Sequence, residues 1–140
     1  MADRLQLEIV TPAQRVVAEE VDEVIVPAED GYLGVRAGHA PMLLRLQVGQ
    51  MTYRLNGKPH ILAISGGYAE VTRTGVAVLA ETCEPAESVD IDRANQAKER
   101  AERRLSGSDS GSDHQRAEVS LKRAMNRISA HTHGRSMMGA

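Results

Sequence analysis

Asp90-Ile91-Asp92-Arg93-Ala94-Asn95-Gln96-Ala97-Lys98-Glu99-Arg100-Ala101-Glu102-Arg103-Arg104-Leu105 divides the chain into two kinds of sequence. The stretch holds neither Gly nor Pro and is rich in Ala, Arg, Glu, Lys and Gln, the strongest helix formers. Ala94, Ala97, Ala101 and Leu105 recur at spacings of three and four, the helical period. Asp90 stands where an N-cap carboxylate accepts orphan backbone N–H groups. The spacing predicts a helix over about 90–105 with a thin, alanine-rich apolar stripe.

Toward the N-terminus the period changes. Leu5-Gln6-Leu7-Glu8-Ile9 alternates apolar and polar, as a half-buried strand does, and Thr11-Pro12 closes it. Val21 to Val26 is a second β-branched run, ended by Pro27; a proline at a run end costs the ladder least. Glu29 to Pro41 holds three glycines and a proline and reads as loops around a very short strand. Met42 to Leu46 is apolar again, and Val48-Gly49-Gln50 reads as a break. Met51–Leu55 and Ile61–Ser65 flank Asn56-Gly57, a hairpin signal because both residues tolerate positive φ. Gly66-Gly67 reads as an interruption before Tyr68–Val71, and Val76–Ala80 is the last strand. Short strands with turns between them predict an all-β sandwich or barrel over about residues 3–84.

Toward the C-terminus, residues 106–112 are a polar Ser/Gly/Asp linker. Gln115 follows Ser112 at capping-box spacing. Ala117, Leu121, Ala124 or Met125, and Ile128 then give a second helix over about 113–130, with a frayed tail beyond Ala130. The C-terminal part, 87–140, is expected to be an αα-hairpin. Helix pairs this short are marginal alone, so the hairpin needs cover from the sheet domain or from a partner.

Composition narrows the function classes. The 140 residues are 41% hydrophobic, with no Trp, no Phe and three Tyr, so the core is aliphatic and base stacking is disfavoured. Residues 1–85 carry seven Lys/Arg against eleven Asp/Glu, and residues 86–140 carry ten against eight. That split is too mild for a nucleic-acid binder. Cys83 is the only cysteine, so no internal disulfide forms. The first residues carry no signal-peptide pattern, and no run approaches roughly 18 apolar residues, so membrane association is expected only through a partner.

No autonomous active site is legible. Ser108-Asp109-Ser110-Gly111 lies in the linker with no His–Asp pair to activate a serine. His131-Thr132-His133 offers too few ligands for a metal, and Cys83 reads as a small apolar residue at a strand end. No phosphate-binding glycine loop or paired carboxylate constellation appears. Neither catalytic residues nor metal ligands are therefore expected. One constellation is left open. If the helices pack antiparallel about residue 109, Arg93 lies beside Arg123 and Arg127 at the open end of the hairpin. Three arginines there suit either a solvated basic face or a phosphate site.

Gly31-Tyr32-Leu33-Gly34-Val35 with Gly38-His39-Ala40-Pro41, then Ile64-Ser65-Gly66-Gly67-Tyr68-Ala69-Glu70-Val71, then Val76 to Thr82, resemble in order and spacing the epsilon subunit of bacterial and chloroplast F-type ATP synthases. Val89-Asp90-Ile91-Asp92-Arg93-Ala94 is similar to that family's nucleotide motif at the first helix, with Val89 where relatives have Ile or Leu. The resemblance implies a β-sandwich domain (1–86) of short antiparallel strands, followed by a regulatory antiparallel two-helix hairpin (87–140). It implies a non-catalytic central-stalk subunit, peripheral on the cytoplasmic face of the bacterial inner membrane. Its expected partners are the gamma subunit, the ring of c subunits and the alpha/beta catalytic head. Tyr32 is then expected to face the ring, and the stretch of His39 and Pro41 to lie near gamma. Glu84, Val89, Asp90, Arg93, Ala94, Arg123 and Arg127 become the candidate nucleotide site, with ATP a regulatory ligand rather than a required cofactor. The hairpin would block hydrolysis when extended. A stand-alone nucleotide-sensing module is the alternative.

Overall fold

Asn56 and Gly57 take φ values of 54° and 79° and turn the chain between two long strands, Met42–Leu55 and Lys58–Val71. Both residues are left-handed, as a two-residue type I′ hairpin requires, and Leu55 pairs with Lys58 across the turn. The computed structural model describes residues 3–107 and 111–138. In chain order its strands are β1 (Leu5–Val10), β2 (Arg15–Val21), β3 (Glu23–Ala28), β4 (Gly31–Val35), β5 (Met42–Leu55), β6 (Lys58–Val71), β7 (Gly75–Ala80) and β8 (Cys83–Pro85).

One eight-stranded sheet results, in the order β2-β1-β7-β6-β5-β3-β4, with β8 also paired to β6. Among the described residues, only the β1–β7 pair is parallel. β6 serves two neighbours: Leu62 to Ile64 pair with β8, and Gly67 to Val71 pair with β7. The sheet folds over, so that β2 touches β5 without being its ladder neighbour. Leu5, Leu7, Ile9, Val21, Val24, Met51, Leu62, Ile64 and Val78 are buried in one core cluster that all strands from β1 to β7 supply. This is a β-sandwich with an aliphatic core.

Several expected breaks are not breaks. Gly66 and Gly67, at φ 74° and 121°, lie within β6 where its partner changes. A Cβ on Gly67 would sit 2.0 Å from the Leu79 carbonyl oxygen, so only glycine lets the backbones approach this closely. Val48-Gly49-Gln50 likewise stays in the ladder, opposite Ser65, Ile64 and Ala63. The run Val21–Val26 is divided between β2 and β3 by Asp22. Pro27 lies inside β3 rather than after it. It falls where the β3–β5 register slips between Ile25 and Ala28, so its missing N–H removes no bond from that ladder.

The chain separates into two compact units, Met1–Pro85 and Ala86–Ala140. The second opens with a 3₁₀ turn, Ala86–Ser88, and continues as α1 (Ile91–Gly107) and α2 (Gly111–Met138), packed against each other and antiparallel. Their contact is a seam of buried alanines: Ala94 and Ala101 on α1, Ala117, Ala124 and Ala130 on α2. The helices exceed the expected 90–105 and 113–130, and the expected linker 106–112 shrinks from both sides. Ser106 and Gly107 extend α1, with the Ser106 hydroxyl donating to the Arg103 carbonyl at 2.9 Å. The tail beyond Ala130 is helical to Met138. Packing overrides weak propensity here: a Cβ on Gly134 would meet the Ala86 Cβ at 2.7 Å, so this glycine lets α2 press onto the 3₁₀ turn. The Ser108-Asp109-Ser110 run lies outside the described residues.

Candidate functional site

The start of the hairpin is built by local capping. Val89 N–H donates to the Ala86 carbonyl at 3.3 Å, closing the 3₁₀ turn, and the Val89 side chain is buried. Asp90 Oδ1 accepts from the backbone N–H of Arg93 at 3.1 Å, and the Asp90 carbonyl accepts from Ala94 N–H at 3.0 Å. Asp90 is therefore the N-cap of α1. Ala94 is fully buried in the helix seam and can shape a pocket only through its smallness.

Arg93 is exposed on the first turn of α1. Arg123 and Arg127 lie on α2, the helix packed against α1. Arg123 is exposed and Arg127 half-buried, and both already take part in polar or electrostatic interactions. Glu84 belongs to the first unit, on β8 opposite Ala63. The arrangement gives the hairpin's open end basic side chains and a capped helix N-terminus, the chemistry that suits a phosphate group.

On the sandwich, Tyr32 is 62% exposed on β4, opposite Pro27. Its hydroxyl would lie 3.3 Å from a Cβ built on Gly49, so the ring reaches across β3 toward a position that has no side chain. His39 is half-buried in the loop before β5; its Nδ1–H donates to the Ala40 carbonyl at 2.7 Å, which fixes that tautomer. The same loop is tied to the β6–β7 turn by Gly38 N–H donating to the Arg73 carbonyl at 2.8 Å. Pro41 is exposed beside it.

Sequence reading missed the face that begins where this loop ends. Arg45 pairs with Tyr68, Tyr68 with Leu79, and Leu79 with Val10, a row across β5, β6, β7 and β1. Leu43, Tyr68 and Leu79 are 71%, 47% and 63% exposed, whereas Ala69 and Val78 beside them point into the core. The exposed row borders an open cleft of about 640 Å³ whose lining includes Val10, Pro12, Arg45, Tyr68, Leu79 and Glu81. A surface strand residue is ordinarily polar, so this grouping marks an interaction surface. The one signal for it in the sequence is the uninterrupted apolar run of β7, which leaves an apolar residue on both faces.

Burial, reinforced by neighbouring Glu84, pushes the Cys83 thiol up to about 12, far from the range of a nucleophile. No group of three or more His, Cys, Asp or Glu side chains suited to a metal occurs among the described residues. No described helix is long and apolar enough to cross a membrane.

Two family models match the two units. Residues 4–86 match the ATP synthase delta/epsilon chain β-sandwich domain, and residues 87–131 match the delta/epsilon chain long α-helix domain. The ATP synthase epsilon chain of Nitratidesulfovibrio vulgaris is 48% identical over 91% of this chain and 96% of its own length. That of Desulforamulus reducens is 45% identical over 93% and 98%. Among solved structures, a chain of the Euglena gracilis mitochondrial ATP synthase, in an assembly that includes the c-ring, superposes with a TM-score of 0.80 at 25% identity, covering 91% of this chain and 81% of that one. A chain of the Tetrahymena thermophila mitochondrial ATP synthase central stalk and c-ring shares the fold alone, at a TM-score of 0.65 and 12% identity over 91% and 96%.

Sandwich, hairpin and relatives together define a rotor subunit of the central stalk of an F-type ATP synthase. The chain belongs to the ATP synthase delta/epsilon chain family.

Proposed function

We propose that this subunit is non-catalytic and couples rotation of the c-ring to the catalytic head while restraining ATP hydrolysis through its hairpin. The observation that carries the regulatory part is the hairpin's construction as its own compact unit, closed on alanines. Each buried methyl contributes little hydrophobic stabilisation, so separating the helices costs little and a partner surface can compete for them. The sandwich docks on gamma through Leu43, Tyr68, Leu79 and the adjoining His39–Pro41 stretch, and presents Tyr32 to the c-ring. The extended hairpin reaches the alpha/beta head and blocks hydrolysis; the closed hairpin permits turnover. ATP held by Arg93, Arg123 and Arg127 beside Val89, Asp90 and Ala94 favours the closed state and is not a required cofactor. The subunit works at the cytoplasmic face of the bacterial inner membrane, held there by the complex.

The test is assembly of the complete complex with the full chain or with a chain ending at Pro85. Hydrolysis should rise in the truncated assembly while the sandwich stays bound. Equal hydrolysis in both assemblies defeats the inhibitory role.

A further inference from the structure

Arg45 lies 5.6 Å from the Tyr68 ring centroid, and its Nη2 donates to the Tyr68 hydroxyl at 3.3 Å. Its Nε faces Glu29 Oε2 at 3.6 Å. The Arg45 side chain is 65% exposed. A long cation on a strand ordinarily samples many rotamers; this one is held against an aromatic ring, at the end of an otherwise apolar row. Aromatic and arginine anchors dominate interface energetics when they are preorganised and flanked by apolar contacts.

We infer that Arg45, braced by Tyr68 and Glu29, is the specificity-determining residue of this face, and that it takes a carboxylate of the stalk partner while the neighbouring cleft takes an apolar side chain. The inference rests on the proposal above that this face docks on gamma. A planar guanidinium can offer two parallel N–H donors to one carboxylate, which an ammonium cannot do. The neighbouring carboxylate of Glu81 lines the same cleft and repels a wrongly placed acid, so the pair sets the orientation of the partner as well as its identity.

The experiment titrates full-length chain onto the ATP synthase head-and-stalk complex purified without this subunit, at low and high salt. Arg45→Ala should weaken binding about tenfold at low salt and flatten the salt dependence, and Arg45→Glu about a hundredfold. Arg45→Lys should fall between Arg45→Ala and wild type. Tyr68→Phe keeps the ring and should stay within about threefold. Leu79→Asp separates the two readings. If it binds like wild type, the face is not the interface and the docking proposal fails with the inference. If it weakens binding while Arg45→Ala stays within twofold of wild type, docking stands and the role of Arg45 is overturned. An Arg45→Ala loss with an unchanged salt dependence also overturns the carboxylate partner. Since Arg45 is exposed, unchanged thermal melting of each variant shows that binding, not folding, was measured.

Discussion

The Asp90 carboxylate and the Arg93 backbone N–H are joined by a hydrogen bond of 3.1 Å, so the acid of the hairpin's candidate nucleotide motif is first of all a helix cap. Two roles meet in one side chain, and substitution can separate them. Asp90→Asn keeps a capping oxygen and removes the charge; Asp90→Ala removes both. Thermal unfolding of the full chain should show Asn within a few tenths of a kcal/mol of wild type and Ala lower by about 1 kcal/mol. If Asn is as damaging as Ala, the helix dipole's preference for charge, and not the cap geometry, is what Asp90 satisfies.

Among the described glycines, Gly67 leaves the least room for a Cβ. Its φ of 121° is closed to side chains, and a Cβ would lie 2.0 Å from the Leu79 carbonyl oxygen. Gly67→Ala should therefore lower stability by about 3 kcal/mol or more, from backbone strain together with a backbone clash. Gly57→Ala, at φ 79° with no atom within 4 Å, carries strain alone and should lose about 1 kcal/mol. Denaturant titration ranks the two; equal losses would mean that the β6–β7 contact yields easily.

How much of this was readable depends on whether the cause was local. Asn56-Gly57 announced its hairpin because the turn needs two left-handed residues and nothing else. Gly49 and Gly66-Gly67 misled, since a glycine that admits a neighbouring backbone looks the same in sequence as one that ends a strand. Asp90 as a helix cap was legible for the same reason as the hairpin, since the carboxylate bonds a backbone N–H only three residues on. The helical tail to Met138 did not follow, because its cause is the distant Ala86 that Gly134 packs upon. The row of Arg45, Tyr68 and Leu79 was hidden for the same reason: the three meet only through the register of three strands.

Cys83 links pH to both reactivity and stability. Burial is the main cause of its raised pKa, from 9.0 to about 12, and the Glu84 charge adds to it. Near pH 8 the folded protein should alkylate roughly a thousandfold more slowly than an ordinary thiol, and unfolding should restore the rate. The sign for stability follows from the raised value. The neutral thiol's contribution is complete below pH 9.0 and is lost as pH rises from there toward about 12. Cys83→Ala should lose this alkaline slope; a mutant with the same slope would assign it to another group.

Gly49 governs how Tyr32 is presented. A Cβ there would stand 2.7 Å from the Pro27 Cβ and 3.3 Å from the Tyr32 hydroxyl. Gly49→Ala should cost about 1–3 kcal/mol by overpacking. It should also shift the Tyr32 ring resonances while leaving those of Tyr53, stacked on His60 at 4.7 Å, in place. If the Tyr32 signals stay put, its ring is not seated over Gly49.

The alanine seam makes the sharpest demand on packing. Ala124 is 2% exposed between α1 and α2, and Leu matches Ala closely in helix propensity, so Ala124→Leu tests the seam and not the helix. The larger side chain forces the helices apart, and the hairpin should lose about 1–3 kcal/mol. Amide hydrogen exchange across α1 and α2 would then accelerate by roughly tenfold to a hundredfold, with the sandwich strands unaffected. The control is Met125→Leu, one residue further on and 50% exposed, where the same amides should keep their protection. In the assembled complex, a loosened hairpin spends more time extended, so Ala124→Leu should lower hydrolysis below wild type. Faster exchange with unchanged hydrolysis would leave the seam intact as a packing device and remove it from regulation.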